Sequence, residues 1–271
     1  MPFDPEAVRR FELARWQQAA SAYEASFATA TGQFIDPLLD AVNIGPGTRL
    51  LDIACGPGFI TARANMRGAL SRGLDFSSAM LGIARMRNPA LSFDEGDAEV
   101  LPYPDHAFDA AVSNFGIHHV PRPQLALREA HRVLRAGGCV AFSFWADHSD
   151  NIGWKLLFDA IARHGDPSAS DAPLPGGGFR GAEQCAEALR TAGFAECTTQ
   201  LVNAIWHHAD AKAFVAALQA GTARMAAMIE AQDPSAMPAI IADIEAKTAP
   251  YRTADGIAVP IAAVIAAGSR R

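Results

Sequence analysis

An acidic residue and two glycines follow the first strongly apolar segment of the chain. Asp52 lies near the end of the apolar stretch 48–54, and Cys55-Gly-Pro-Gly58 follows directly. Glycines one residue apart let the backbone turn sharply and let a ligand approach the main chain closely. A carboxylate just upstream of such a turn suits a cationic group on the ligand. On its own, this pattern does not separate a binding loop from a plain strand-to-helix turn.

Residues that can bind a ligand also end the next three apolar stretches of the chain. These residues are Asp75, Asp97 and Asn114. A carboxylate at the position of Asp75 can accept hydrogen bonds from both hydroxyls of a ribose, and Asp97 suits an adenine amino group. Four consecutive stretches that end in such residues predict one shared binding site.

Two adjacent histidines, His118 and His119, follow the same stretch as Asn114. An imidazole can remove a proton near neutral pH, so either residue is a candidate general base. The alternative is structural, with one ring capping a turn and the other packing against the core. A second adjacent pair, His207 and His208, has no third ligand that the sequence identifies, and no metal site is predicted.

These side chains need a scaffold that brings successive strand ends together. Short apolar strands alternate with helices from residue 48 to residue 145. Such alternation is typical of a doubly wound α/β fold, in which helices cover both faces of a mostly parallel sheet. Ligands bind at the carboxyl ends of the strands in these sheets. The five predicted strands cover residues 48–54, 70–74, 91–93, 108–113 and 139–145.

The flanking segments are predicted to be mostly helical. Helices are expected over residues 6–30 and 34–42, before the first strand, and almost throughout 210–247. Two further strands are expected over 196–206 and 257–267.

Five motifs of this chain resemble the class I S-adenosylmethionine-dependent methyltransferases, in particular the small-molecule branch that includes the ubiquinone/menaquinone biosynthesis enzymes. They are LDIACGPG, GLDFSSAMLGIAR, GDAEVLPYPDHAFD, HHV and REAHRVLRAGGCVAFSFW, and they lie within residues 50–145. The resemblance implies S-adenosyl-L-methionine as cofactor, S-adenosyl-L-homocysteine as product and methyl transfer to a small-molecule acceptor by in-line displacement. It also implies a seven-stranded sheet with an antiparallel last strand.

The resemblance further assigns parts of the cofactor to individual residues. Asp52, Ala54, Gly56 and Gly58 are expected to face its methionine part, and Asp75 to bind the ribose. The adenine is expected between Phe76 and Met80, with its edge at Asp97 and Ala98, while Asn114 lies near the amino acid or the sulfonium. His119 and His118 are the candidate bases. Aromatic residues that could form the acceptor pocket are Trp16, Tyr23, Trp145 and Trp206.

The chain is expected to form a single methyltransferase domain over residues 1–271. Residues 1–45 are predicted to form a helical cap and residues 48–145 the cofactor-binding core. Residues 146–271 are predicted to form a substrate-side half that contains a helical insertion, 210–250.

Two other functions remain open from the sequence. A non-catalytic relative could bind the cofactor and act as a scaffold. An NAD(P)-dependent oxidoreductase shares the strand, the glycine turn and the distal acid, but its fingerprint needs a third glycine where this chain has Thr61.

The net charge of -6 and the absence of any Lys/Arg run disfavour a nucleic-acid partner. The four cysteines form no Cys-x-x-Cys pair, and the first ten residues contain no apolar leader segment, so a cytoplasmic protein without a membrane span is expected. The Ala-rich helices could also form a homodimer surface. The identity of the acceptor, and whether oxygen, nitrogen or carbon is methylated, stays open.

Overall fold

The computed structural model describes residues 3–177, 179 and 181–271. Met1 and Pro2, at the start of the predicted cap, lie outside the described residues, as do Gly178 and Arg180. Among the described helices, none combines the length and the apolar character that crossing a membrane requires.

A single mixed sheet forms the centre of the molecule, in the spatial order β3-β2-β1-β4-β5-β8-β6. Strands β1 to β5 pair in parallel, whereas β8 is antiparallel to both β5 and β6. The predicted doubly wound, mostly parallel sheet with an antiparallel last strand is confirmed. The strand bounds are β1 Arg49–Ile53, β2 Leu70–Asp75, β3 Ser92–Glu95, β4 Phe108–Asn114, β5 Leu134–Trp145, β6 Ala195–His208, β7 Arg252–Thr253 and β8 Gly256–Ser269.

The strand count differs from the predicted seven because of β7. This strand has two residues and pairs with the beginning of β8 through a tight turn. It lies outside the main order of the sheet, so the seven long strands are arranged as expected.

Helices cover the sheet and extend beyond its carboxyl-end edge. The strands are connected by α4 Phe59–Met66, α5 Ser78–Arg87, α6 Pro123–Val133, α7 Ile152–His164 and α8 Gly181–Thr191. The chain begins with α1 Pro5–Tyr23, α2 Ala28–Thr31 and α3 Ile35–Asp40. The predicted insertion consists of α9 Ala211–Gly221, α10 Arg224–Glu230 and α11 Met237–Lys247.

The prediction of one continuous helix over residues 6–30 is wrong, because the chain bends between Tyr23 and Ala28. The bend carries Phe27 into an aromatic cluster. Its ring centroid lies 5.6 Å from Trp145, 5.9 Å from Trp154 and 5.6 Å from Trp206. Burial of several aromatic rings together outweighs the helix propensity of the Ala-rich segment around the bend.

This cluster is part of a core that joins the N-terminal helices to the insertion. Phe27 and Phe34 pack in it with Phe214 of α9 and Ile240 of α11. The cap and the insertion therefore share one apolar core with the ends of β4 and β5, which fixes both above that edge of the sheet.

Candidate active site

A cleft of about 870 Å³, including its open mouth, lies at the carboxyl ends of β1, β2 and β4. Helix α1 and the following bend form its cover. We call it the main cleft; its wall includes Arg9, Trp16, Tyr23, Phe27, Ala54, Gly56, Asp75, Phe76, Met80, Asp97, Ala98, Asn114, Phe115, His119 and Trp145.

Asp75 ends β2 and lies in the wall of the main cleft. Its two carboxylate oxygens accept hydrogen bonds from the backbone N–H groups of Gly56 and Ser77, both at 2.8 Å. The residue is 5% exposed, and burial raises its pKa to about 6. Each oxygen still has a lone pair for a further donor, so the group can accept bonds from neighbouring hydroxyls of a ligand.

Asp52 lies behind the turn that follows β1, in a smaller cavity adjoining the main cleft. Thr61 donates to its Oδ2 through both the backbone N–H, at 3.1 Å, and the hydroxyl, at 2.7 Å. Its Oδ1 is buried and has no hydrogen-bond partner among the residues that the structure describes. Burial raises the pKa of Asp52 to about 7. A cationic donor in this small cavity would satisfy Oδ1 and favour the charged form.

The turns after β1 and β4 are strained where they meet. Ala54 and Phe115 have φ values of 57° and 55°, which side chains other than glycine rarely adopt. Gly116 allows their close approach, because a Cβ there would lie 2.5 Å from the Cβ of Ala54. Both strained residues line the main cleft, and such strain is typical of binding and catalytic sites.

An ion-pair network joins α1 to the loop that contains Asp97 and Ala98. Arg9 forms an ion pair with Asp97 and another, at 3.0 Å, with the buried Glu99. Arg122 also binds Glu99, at 2.6 Å. This network holds the first turns of α1 against the side of the main cleft that Asp97 lines.

His119 also lines the main cleft, from the short 3-10 turn that follows β4. Its Nδ1 is 2.9 Å from Oε2 of Glu12, and its ring meets Trp16 edge-on at 5.0 Å. With Nδ1 engaged by a carboxylate, the other ring nitrogen is available to accept a proton. A histidine and a carboxylate in this arrangement can work as a general base and its orienting acid.

Aromatic rings line the part of the main cleft beside His119. Trp145 stacks on Phe115 with the ring centroids 3.9 Å apart, and Trp16 lies edge-on to Tyr23 at 6.0 Å. These rings give the part of the main cleft beside His119 a flat, apolar wall.

Most of the predicted site residues line the main cleft, and Asp52 lies in the smaller cavity that adjoins it. Three others line neither. Gly58 is expected to face the ligand, yet its N–H donates to the carbonyl of Cys55, and a Cβ on it would lie 2.7 Å from Phe93. With a φ of 80°, Gly58 serves the turn and the packing of α4 on the sheet instead.

His118 is the second exception. Its ring packs edge-on against Phe144 at 5.1 Å, and burial lowers its pKa well below the ordinary value. Its ring also lies beside that of His119, with the centroids 4.2 Å apart, but only His119 forms part of the wall of the main cleft. The structure therefore favours His119 over His118 as the candidate base.

Trp206 is the third exception. It is 1% exposed, and its indole N–H donates to the hydroxyl of Thr29 at 2.7 Å. It packs beneath Phe27 and borders a separate open depression near His207. Because β8 separates β6 from β5, Trp206 supports the cleft wall without forming it.

Four residues of the site escaped the sequence analysis: Arg9, Glu12, Thr61 and Arg224. Thr61 enters the sequence analysis only as the residue that stands in place of a third glycine, although its spacing from Asp52 along the chain could have indicated their contact. For the other three, nothing in the local sequence indicates the partners, because Glu12 is 107 residues from His119.

Comparison with known proteins agrees with the sequence resemblance. Residues 51–142 match the family model described as a methyltransferase domain. A demethylmenaquinone methyltransferase of Renibacterium salmoninarum is 41% identical over 101 residues, which are 37% of this chain and 43% of that protein. A ubiquinone/menaquinone biosynthesis C-methyltransferase of Ruegeria sp. is 41% identical over 149 residues, covering 50% of this chain and 59% of the relative.

The chain thus spans about half the length of the curated relatives that it matches. Similarity to solved structures extends further. A methyltransferase of Thermotoga maritima, described as a possible histamine N-methyltransferase, superimposes with a TM-score of 0.58 at 20% identity. The superposition covers 95% of this chain and 99% of that one, which shows a common fold.

Proposed function

We propose that the chain transfers the methyl group of S-adenosyl-L-methionine to a small, flat and largely apolar acceptor. The match of residues 51–142 to the model of a methyltransferase domain and the likeness to curated methyltransferases support this. The observation that carries this proposal is the convergence of Asp75, Asp52 and His119 around the ends of β1, β2 and β4. Two of these groups suit the cofactor, and the third suits the acceptor.

The buried carboxylates fit the polar ends of the cofactor. Oδ1 of Asp52, which has no partner among the described residues, suits the ammonium of the methionine part. The hydroxyl of Thr61 donates to the other oxygen, Oδ2, and so holds the carboxylate in place. Asp75 accepts the ribose hydroxyls. Phe76 and Met80 provide apolar contacts for the adenine, and Asp97 and Ala98 lie at its edge.

When bound, the cofactor supplies a methyl carbon that a positively charged sulfur has already activated. The protein must then align the acceptor and accept its proton. Alignment alone contributes about 7–11 kcal/mol to such reactions. His119 accepts the proton, and the aromatic wall around it holds the ring plane of the acceptor while excluding water.

The aromatic wall also supports the acceptor class. Trp16, Phe115 and Trp145 suit a flat ring, and the curated relatives are named for demethylmenaquinone and for ubiquinone/menaquinone biosynthesis. Helix α1 covers the cleft, which favours a small molecule over a polymer. The four cysteines are all free, as is usual in a reducing compartment, which supports a cytoplasmic location.

Calorimetric titration with S-adenosylmethionine, S-adenosylhomocysteine, NAD and NADP tests the cofactor. We expect micromolar binding of the two sulfur ligands and none of the nucleotides. Binding of NAD or NADP alone would contradict the proposal. A screen of phenols, amines and quinols then tests transfer, and tight cofactor binding without turnover of any of them would favour the non-catalytic alternative.

Affinity for S-adenosylhomocysteine should increase about tenfold or more between about pH 5 and pH 7, and then level off. Burial raises the pKa values of Asp52 to about 7 and of Asp75 to about 6, and the ligand binds the charged form of both. In the free protein the same raised pKa values make stability fall as pH rises over this range, since the folded state binds more protons than the unfolded chain.

Calorimetry across this pH range measures the effect. Asp52→Asn is the control, because it removes the carboxyl group whose pKa is nearest to 7. The variant should keep only the weaker pH dependence of the affinity that Asp75 causes. A dissociation constant that stays constant from about pH 5 to pH 7 in the unmodified protein would show that neither carboxylate binds the ligand.

A further inference from the structure

Glu12 is a buried carboxylate whose contacts join three parts of the fold: α1, to which it belongs, the turn after β4, and α10. Its side chain is 0% exposed. Its Oε2 accepts a hydrogen bond from the indole N–H of Trp16 at 2.9 Å and lies 2.9 Å from Nδ1 of His119. Its Oε1 forms an ion pair with Arg224, at the start of α10. Because a buried charge is costly to leave unpaired, these contacts hold the three parts together.

The contact with Glu12 determines which ring nitrogen of His119 carries the proton. Burial alone would raise the pKa of Glu12, but His119 and Arg224 beside it bring that pKa below its ordinary value. The group is therefore an ionised carboxylate at neutral pH, and such a group only accepts hydrogen bonds. Nδ1 of His119 therefore donates to it, and in the neutral ring this leaves Nε2 without a proton.

We propose that Glu12 is a positioning residue that holds His119 in the Nδ1–H form, with Nε2 free for the main cleft, and does so only while α1 covers that cleft. This inference rests on the proposed function, in which His119 is the base. As the O–H bond of the acceptor breaks, an N–H bond forms at Nε2. The positive charge that results on the ring lies beside the Glu12 carboxylate, which stabilises it.

The same contacts could serve only as a latch. Nη1 of Arg224 donates to the carbonyl of His118 at 3.3 Å, so the Glu12–Arg224 pair ties α1 and α10 to the turn that carries His119. The two roles differ in one respect. A latch requires Arg224, whereas control of the ring proton requires only Glu12 and His119.

The comparison of Arg224→Met with the double variant Glu12→Met/Arg224→Met separates these roles. Both lose the ion pair, and neither leaves a buried cation without its partner. Nitrogen-15 NMR of the imidazole rings reports the tautomer, with the His119 signals assigned by their loss in His119→Gln. We expect the Nδ1–H form in the unmodified protein and in Arg224→Met, and its loss in the double variant.

Turnover provides the second measurement. On one and the same acceptor, kcat of the double variant should be about 10²-fold below that of Arg224→Met, within the range for loss of general-base catalysis. Equal kcat values with equal tautomers in the two variants would overturn the inference. A proton on Nε2 in the unmodified protein would also overturn it, even if the variants fail to fold.

The tautomer is read both in the free protein and with S-adenosylhomocysteine at saturation. Failure of that ligand to bind would contradict the proposed function, while the spectrum of the free protein would still test Glu12. Gln18→Met, at an exposed position of the same helix, is the control and should change neither the tautomer nor kcat.

Discussion

Asp75→Ala is expected to weaken the binding of S-adenosylhomocysteine by about 10²-fold or more. Two hydrogen bonds from ribose hydroxyls to an ionised acceptor contribute roughly 1.5–3 kcal/mol each, and both are lost. The substitution also frees the N–H of Gly56, so the turn after β1 loses one of its supports. Calorimetric titration of the purified variant measures the change.

The matched control for this prediction is Glu95→Ala. In the parallel register of the sheet Glu95 is the partner of Asp75, yet it is exposed and does not line the main cleft. Its removal should leave the dissociation constant within about twofold of the original value. A dissociation constant that is equally unaffected in Asp75→Ala would remove Asp75 from the ribose site.

Asp75 also illustrates which parts of the site are readable from the sequence. In a parallel sheet the carboxyl ends of the strands share one edge, so residues at successive strand ends must come together. Asp75, Asp97, Asn114 and His119 follow this rule, and all of them line the main cleft. Their placement depends on the strands being parallel, which the alternation of strands and helices predicts.

The residues that escaped prediction depend on long-range packing instead. Arg9 reaches the cleft and Glu12 reaches His119 because α1 folds back over the sheet. Arg224 reaches Glu12 because α10 packs near α1. The bend before Phe27, which positions α1, results from burial among tryptophans that are distant in the sequence. Helix periodicity does not contain this information.

Local sequence patterns also do not distinguish a ligand-binding residue from a structural residue of the same type. Both glycines of the turn after β1 suit a ligand, but only Gly56 lines the main cleft, whereas Gly58 packs against Phe93. Both histidines after β4 suit a base, but only His119 lines the main cleft, whereas His118 packs against Phe144. Only the three-dimensional arrangement separates the members of each pair.

The largest loss of turnover is expected from His119→Ala. General-base catalysis contributes about 10²–10⁴-fold, so kcat on an acceptor with an acidic hydroxyl should decrease by that factor. The dissociation constant of S-adenosylhomocysteine should stay within about threefold, because the cofactor contacts are assigned to other residues of the cleft, such as Asp75. An effect on kcat alone marks a group that acts in the chemical step.

His118→Ala is the neighbouring control for this prediction. Its ring packs against Phe144 outside the cleft wall, so the substitution should lower thermal stability while kcat changes by less than about threefold. Full turnover of His119→Ala on a verified acceptor would assign His119 a purely structural role. In that case proton removal would not limit the reaction, as expected for an acceptor that is already a strong nucleophile, such as an amine. The ratio of the two kcat values therefore tests the base and, with it, the chemical class of the acceptor.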